Sequence, residues 1–241
     1  MLEGIKRLFQ RGSPGGATPA DRELQDWLRS RGLKHRSVPG EGFVVDGQQA
    51  GTAWRLEWGP SQRPYIPGQE LRLRAELGLG SGLQALLMTR RLAEKMEGDV
   101  FNRYVEGVQT RIDNQTPPEM RWLVMFPKLP GADLGPLRER FVALGSSRRW
   151  LTQWLDGPLS GTLAAQPLAP DAPLVLMIGR GRLMLRTALA DAEPQRLQAW
   201  LRLFEIAIRE SQRASGEYAG KAGAASGGWS SSALPGDEHR P

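Results

Sequence analysis

Trp54-Arg55-Leu56-Glu57-Trp58 and Glu70-Leu71-Arg72-Leu73-Arg74-Ala75-Glu76-Leu77 alternate apolar and charged residues without a break. A strand turns successive side chains to opposite faces, so strict period two marks a strand with one dry face and one wet face. Trp54, Leu56 and Trp58 belong to the dry face, and so do Leu71, Leu73, Ala75 and Leu77. The wet faces mix arginine with glutamate, which suits cross-strand ion pairs worth up to about 1 kcal/mol each. Phe43-Val44-Val45 precedes them and is expected to enter a turn at Asp46-Gly47; Leu83 to Met88 follows the glycine-rich turn from Gly78 to Gly82. Strands this close in sequence, joined by short connections, form an antiparallel meander.

One connection is longer. Gly59 to Gln69 contains Pro60, Pro64 and Pro67 and is therefore stiff. Its tip carries Arg63, Tyr65 and Ile66, which form a candidate contact loop.

Helical signals surround these strands. Thr18-Pro19-Ala20-Asp21 has the capping residue, first-turn proline and first-turn acid of a helix start. Leu24, Trp27 and Leu28 then give a stripe that Gly32 ends. From Arg90 to Val108, apolar residues recur every fourth position at Leu92, Met96, Val100, Tyr104 and Val108. Met120 to Phe126 reads as a buried strand stopped by Pro127. Leu137 to Leu144 and Arg149 to Leu155 read as short helices. Leu174 to Ile178 and Leu183 to Leu189 flank Gly179-Arg180-Gly181 as a hairpin, and Ala192 to Arg213 closes the body as a long amphipathic helix.

The expected fold class is therefore α+β: an antiparallel sheet, a meander plus a later hairpin, packed by amphipathic helices. Residues 20–213 form one globular body, with two lobes at 20–130 and 136–213 as the alternative. An echo between Leu24-Gln25-Asp26-Trp27-Leu28 and Leu151-Thr152-Gln153-Trp154-Leu155 points to the second arrangement. Residues 214–241, rich in glycine, alanine and serine, read as a disordered tail.

Ahead of the body stands MLEGIKRLFQR, residues 1–11, separated from it by a flexible linker over 12–19. On a helical wheel Leu2, Ile5, Leu8 and Phe9 share one face, while Lys6 and Arg7 lie on the flank and far side. That pattern suits a short helix lying on an anionic membrane surface or in the groove of a protein partner.

Composition narrows the chemistry. The 241 residues carry a net charge of +6 and no cysteine, which excludes disulfides, zinc–thiolate sites and cysteine nucleophiles. Of two histidines, His239 lies in the tail. His35 stands between Lys34 and Arg36, where neighbouring cations favour a neutral surface or strand-edge ring. The acidic residues are scattered, so no metal site is expected. Gly78-Leu79-Gly80-Ser81-Gly82 joins two strands, whereas a phosphate cradle needs a helix start, so no cofactor is expected either. The reading is a non-enzymatic binding or adaptor protein, without a membrane-spanning segment or secretory signal. It is expected in the bacterial cytoplasm, peripherally attached at the inner membrane face. Two alternatives stand behind it. One is a nucleic-acid-binding module using Arg148-Arg149-Trp150, Arg180 and Arg182. The other is an enzyme with a carboxylate–arginine site.

Overall fold

The computed structural model describes residues 19–38, 40, 42–105 and 116–226. The leading segment with Leu2, Ile5, Lys6, Arg7, Leu8 and Phe9 lies outside the described residues, as do most of the linker and residues 227–241.

Helix α1 (Pro19–Ser30) leads into strands β1 (Lys34–Val38), β2 (Gly42–Gln49), β3 (Thr52–Pro60), β4 (Gln69–Glu76) and β5 (Ala85–Thr89). Helices α2 (Arg90–Val105), α3 (Pro118–Met125) and α4 (Gly131–Leu134) follow, then a 3-10 turn (Gly135–Leu137) and β6 (Phe141–Gly145). Helices α5 (Arg148–Leu155) and α6 (Pro158–Ala164) precede the hairpin of β7 (Leu174–Gly179) and β8 (Arg182–Ala188), and α7 (Pro194–Ser226) closes the chain. All eight strands join one antiparallel sheet in the order β1-β2-β3-β4-β8-β7-β5-β6. This is the α+β arrangement expected. Strands from both sides of the Gly131–Gly135 stretch interleave in that sheet.

The register explains the layering. Across the sheet, His35, Val45, Leu56, Leu73, Leu185, Leu176, Leu87 and Ala143 stand side by side. This face is apolar from β2 to β6, and α1, α5, α6 and α7 contribute to the main core on it through Leu28, Trp154, Leu163 and Phe204. The neighbouring row, on the opposite face, reads Arg36, Val44, Glu57, Arg72, Arg186, Val175, Met88 and Val142. It is mostly charged as far as β8 and apolar thereafter. Only the apolar half gains a helical cover, where Met96 of α2 and Met120 and Leu123 of α3 form a second core with Leu86, Met88, Val142 and Met177. The opposite face is thus divided between a charged half with no helix over it and a helix-covered apolar half.

Several local expectations are corrected. Asp46-Gly47 is no turn, because β2 continues to Gln49. A Cβ on Gly47 would meet the Trp54 ring at 2.1 Å, so this glycine makes room for an indole. The chain reverses instead at Ala50-Gly51, both at positive φ (47° and 82°). Met120–Phe126 is no strand: α3 starts with Pro118 in its first turn, and its apolar run divides between buried Met120 and Leu123 and exposed Val124 and Met125. Leu137–Leu144 is not a helix but a 3-10 turn followed by β6. Phe141, Val142, Ala143 and Leu144 are all buried, and a strand covered on both faces loses its alternation. The last helix does not stop at Arg213 but runs to Ser226; Ala214 is buried and Ser215 accepts a hydrogen bond from Trp150 Nε1 at 2.9 Å. In the repeat echo, α1 leads directly into strands, whereas α6 intervenes after α5.

Candidate functional site

The helix-free half of the sheet concentrates the charge. Arg55 binds Asp46 through two hydrogen bonds, at 2.6 and 3.1 Å. Glu57 bridges Arg72 at 3.2 Å and Arg74 at 3.4 Å, and Arg182 meets Glu76 at 2.6 Å. The register places Arg55 directly opposite Arg74, and Arg72 directly opposite Arg186. Like charges so placed repel, and the intervening carboxylates offset the repulsion. The hydrogen bond to Asp46 raises the Arg55 pKa further above its ordinary value. Asp46, Arg55, Arg74, Glu76 and Arg182 line an open depression of about 380 Å³.

Toward β8 the network sinks inward. Glu70 is wholly buried and takes Arg186 at 2.5 Å, Arg72 at 3.5 Å and the backbone N–H of Gln62 at 2.8 Å. Glu119 of α3 is also wholly buried; its Oε1 accepts from Arg63 Nε at 3.0 Å and Tyr65 Oη at 2.6 Å. Burial and the Glu119 charge push the Tyr65 phenol far up, so it stays protonated as a donor. Burial works against the Arg63 charge, yet Glu119 outweighs it and holds the guanidinium above its ordinary range. Neither Tyr65 nor Arg63 titrates near neutral pH. Chemically the arrangement is a latch fastening the Ser61–Gly68 connection to α3.

The expected contact loop is therefore turned around. Arg63 and Tyr65 point at α3, and Ile66 is buried. The reason is Glu119, a charge that must be paired once it is covered. Reading Pro118-Glu119 as a helix start would have brought Glu119 forward as a partner. Glu70 and Arg186 had no sequence signal beyond their place on a wet face.

The other sequence candidates fall elsewhere. Trp150 is buried and packs against Trp154 with ring centroids 5.3 Å apart and planes tilted by 35°, so it presents no ring beside Arg148 and Arg149; Arg148 reaches Asp133 at 2.6 Å. Arg180 occupies a hairpin turn at φ 55°. His35 sits on edge strand β1 near the Phe43 ring, and burial lowers its pKa. Among the described residues no group of histidine, aspartate and glutamate is placed to hold a metal ion, and no helix is long and apolar enough to cross a membrane.

The α2–α3 layer contributes what the sequence did not single out. Phe101, Val124 and Met125 are 65, 56 and 65% exposed, and they are the large hydrophobics left in water among the described residues. Lys128 reaches from beyond α3 to Glu97 of α2 at 2.6 Å, tying the segment after α3 to α2.

No family model matches the chain, and no characterised protein sequence matches it. Among solved structures, the crystal structure of the mycobacterial trehalose monomycolate transport factor A, TtfA, is similar with a TM-score of 0.45 at 11% identity, over 80% of this chain and 92% of that chain. The geometry above, rather than a relative, carries the functional reading.

Proposed function

We propose that this protein works by contact, as a binding or adaptor protein held peripherally at the anionic inner face of a bacterial membrane by its leading segment. The observation that carries the reading is the shared exposure of Phe101, Val124 and Met125 on one helical layer. Single exposed hydrophobics are ordinary; three on the two helices of one layer support a contact surface there.

The attachment rests on the sequence of residues 1–11. Burying Leu2, Ile5, Leu8 and Phe9 is worth roughly 1.5–3 kcal/mol each, and each basic residue near an anionic leaflet adds about 1 kcal/mol. Ordering so short a helix consumes much of that, which leaves weak, reversible binding. Co-sedimentation with anionic vesicles tests it. The full chain pellets, and Ile5→Ser with Phe9→Ser releases it. Equal pelleting of both proteins at low and high salt would remove the leading segment from the account.

A further inference from the structure

The helix-free charged half of the sheet and the exposed apolar residues lie on the same side of the molecule. The register runs Lys34, Asp46, Arg55, Arg74, Met184, Met177, Leu86 and Leu144 along one row of one face. Its apolar end is the floor on which α2 and α3 sit. The layer bearing Phe101, Val124 and Met125 therefore stands beside the arginine rows on that side, with α1, α5, α6 and α7 behind the sheet.

This side carries a surplus of positive charge. On β1 to β4 and β8, seven basic side chains share this face with four carboxylates, Asp46, Glu57, Glu70 and Glu76; Glu70 is buried with Arg72 and Arg186 at 15 and 12% exposure, which leaves Lys34, Arg36, Arg55, Arg74 and Arg182 toward water against Asp46, Glu57 and Glu76. The carboxylates serve the five central arginines. Lys34 and Arg36, on the edge strand, have no carboxylate within ion-pair distance among the described residues. Among the described side chains of α2 the exposed charges balance, with Glu94 and Asp99 against Arg91 and Lys95.

We infer that this side is a second docking surface for an anionic phospholipid bilayer: Lys34, Arg36, Arg55, Arg74 and Arg182 face the headgroups, and Phe101, Val124 and Met125 enter the interface. Two features choose this occupant. A single-stranded nucleic acid binds over stacking rings, whereas Trp54 and Trp58 belong to the opposite, buried face. Exposed apolar side chains beside cations match a bilayer's charged surface and acyl boundary together. The inference rests on the proposed membrane attachment and supplies its second contact, which multiplies a weak first one.

The test uses the full chain with phosphatidylcholine vesicles, with and without phosphatidylglycerol. Arg74 and Arg182 are 53 and 59% exposed, so Arg74→Glu with Arg182→Glu should leave the melting temperature close to the parent's. It should weaken binding to anionic vesicles at least about tenfold and flatten the salt dependence. Phe101→Ser with Met125→Ser should also weaken binding. Where the charge reversal fails to fold, Arg74→Gln with Arg182→Gln should give a smaller loss in the same direction. Parent-like binding by either folded pair overturns the inference. So does equal parent binding to pure phosphatidylcholine, or an arginine effect confined to duplex DNA or an acidic polypeptide. Loss only in Ile5→Ser with Phe9→Ser would keep the leading segment and reject this surface; loss only in the two surface pairs would do the reverse.

Discussion

Removing the Glu119 carboxylate would leave the partly covered Arg63 guanidinium and the Tyr65 hydroxyl without their shared acceptor. Breaking a buried ion pair from one side costs about 3–5 kcal/mol, so Glu119→Ala should lower stability by about 3 kcal/mol in urea unfolding. Glu119→Gln, which keeps an acceptor for Tyr65, should cost less. His35 gives a pH dependence whose sign follows from its burial. The folded ring has a pKa below 6.5, so near and below that value the unfolded chain binds more protons and stability falls with acid. Protonation also turns Nδ1, 3.3 Å from the Gln25 amide nitrogen, from acceptor into donor. The melting temperature should drop between about pH 7 and pH 5, and His35→Phe should flatten that slope.

Both tight hairpins of the sheet turn on two residues at positive φ: Ala50-Gly51 between β2 and β3, and Arg180-Gly181 between β7 and β8. Turns of that kind favour asparagine first, and an alanine or arginine there sits in a left-handed conformation at a cost of about 1 kcal/mol. Ala50→Asn and Arg180→Asn should each raise the melting temperature by roughly 2–4 °C, read by calorimetry. At this scale the meander was legible because Trp54–Trp58 and Leu71–Leu77 have one wet face, and the closing hairpin because Gly179-Arg180-Gly181 stands between two apolar runs. Helix α3 and strand β6 were not. In β6 burial on both faces erases the alternation, and in α3 exposed Val124 and Met125 are as apolar as buried Met120 and Leu123, so neither run shows the periodicity that separates helix from strand. For the site, the charged rows were readable residue by residue. Their alignment with the α2–α3 layer was not, because it depends on β8 inserting beside β4, more than a hundred residues away in sequence.

At the scale of the whole molecule, one sheet separates two environments. Behind it, an apolar face is sealed by four helices; in front, arginine rows lie beside a two-helix layer with hydrophobics in water. On the proposed docking, the front meets the bilayer and the back, with α7, stays in solution. Because the chain has no cysteine, a single introduced thiol can report either side without background. A polarity-sensitive fluorophore on Met125→Cys should shift to the blue and gain intensity when anionic vesicles are added, while the same label on Arg202→Cys, at an exposed position of α7, should not change. A label at position 125 that stays in water while the protein is vesicle-bound, or a label at position 202 that enters the membrane, would contradict the account.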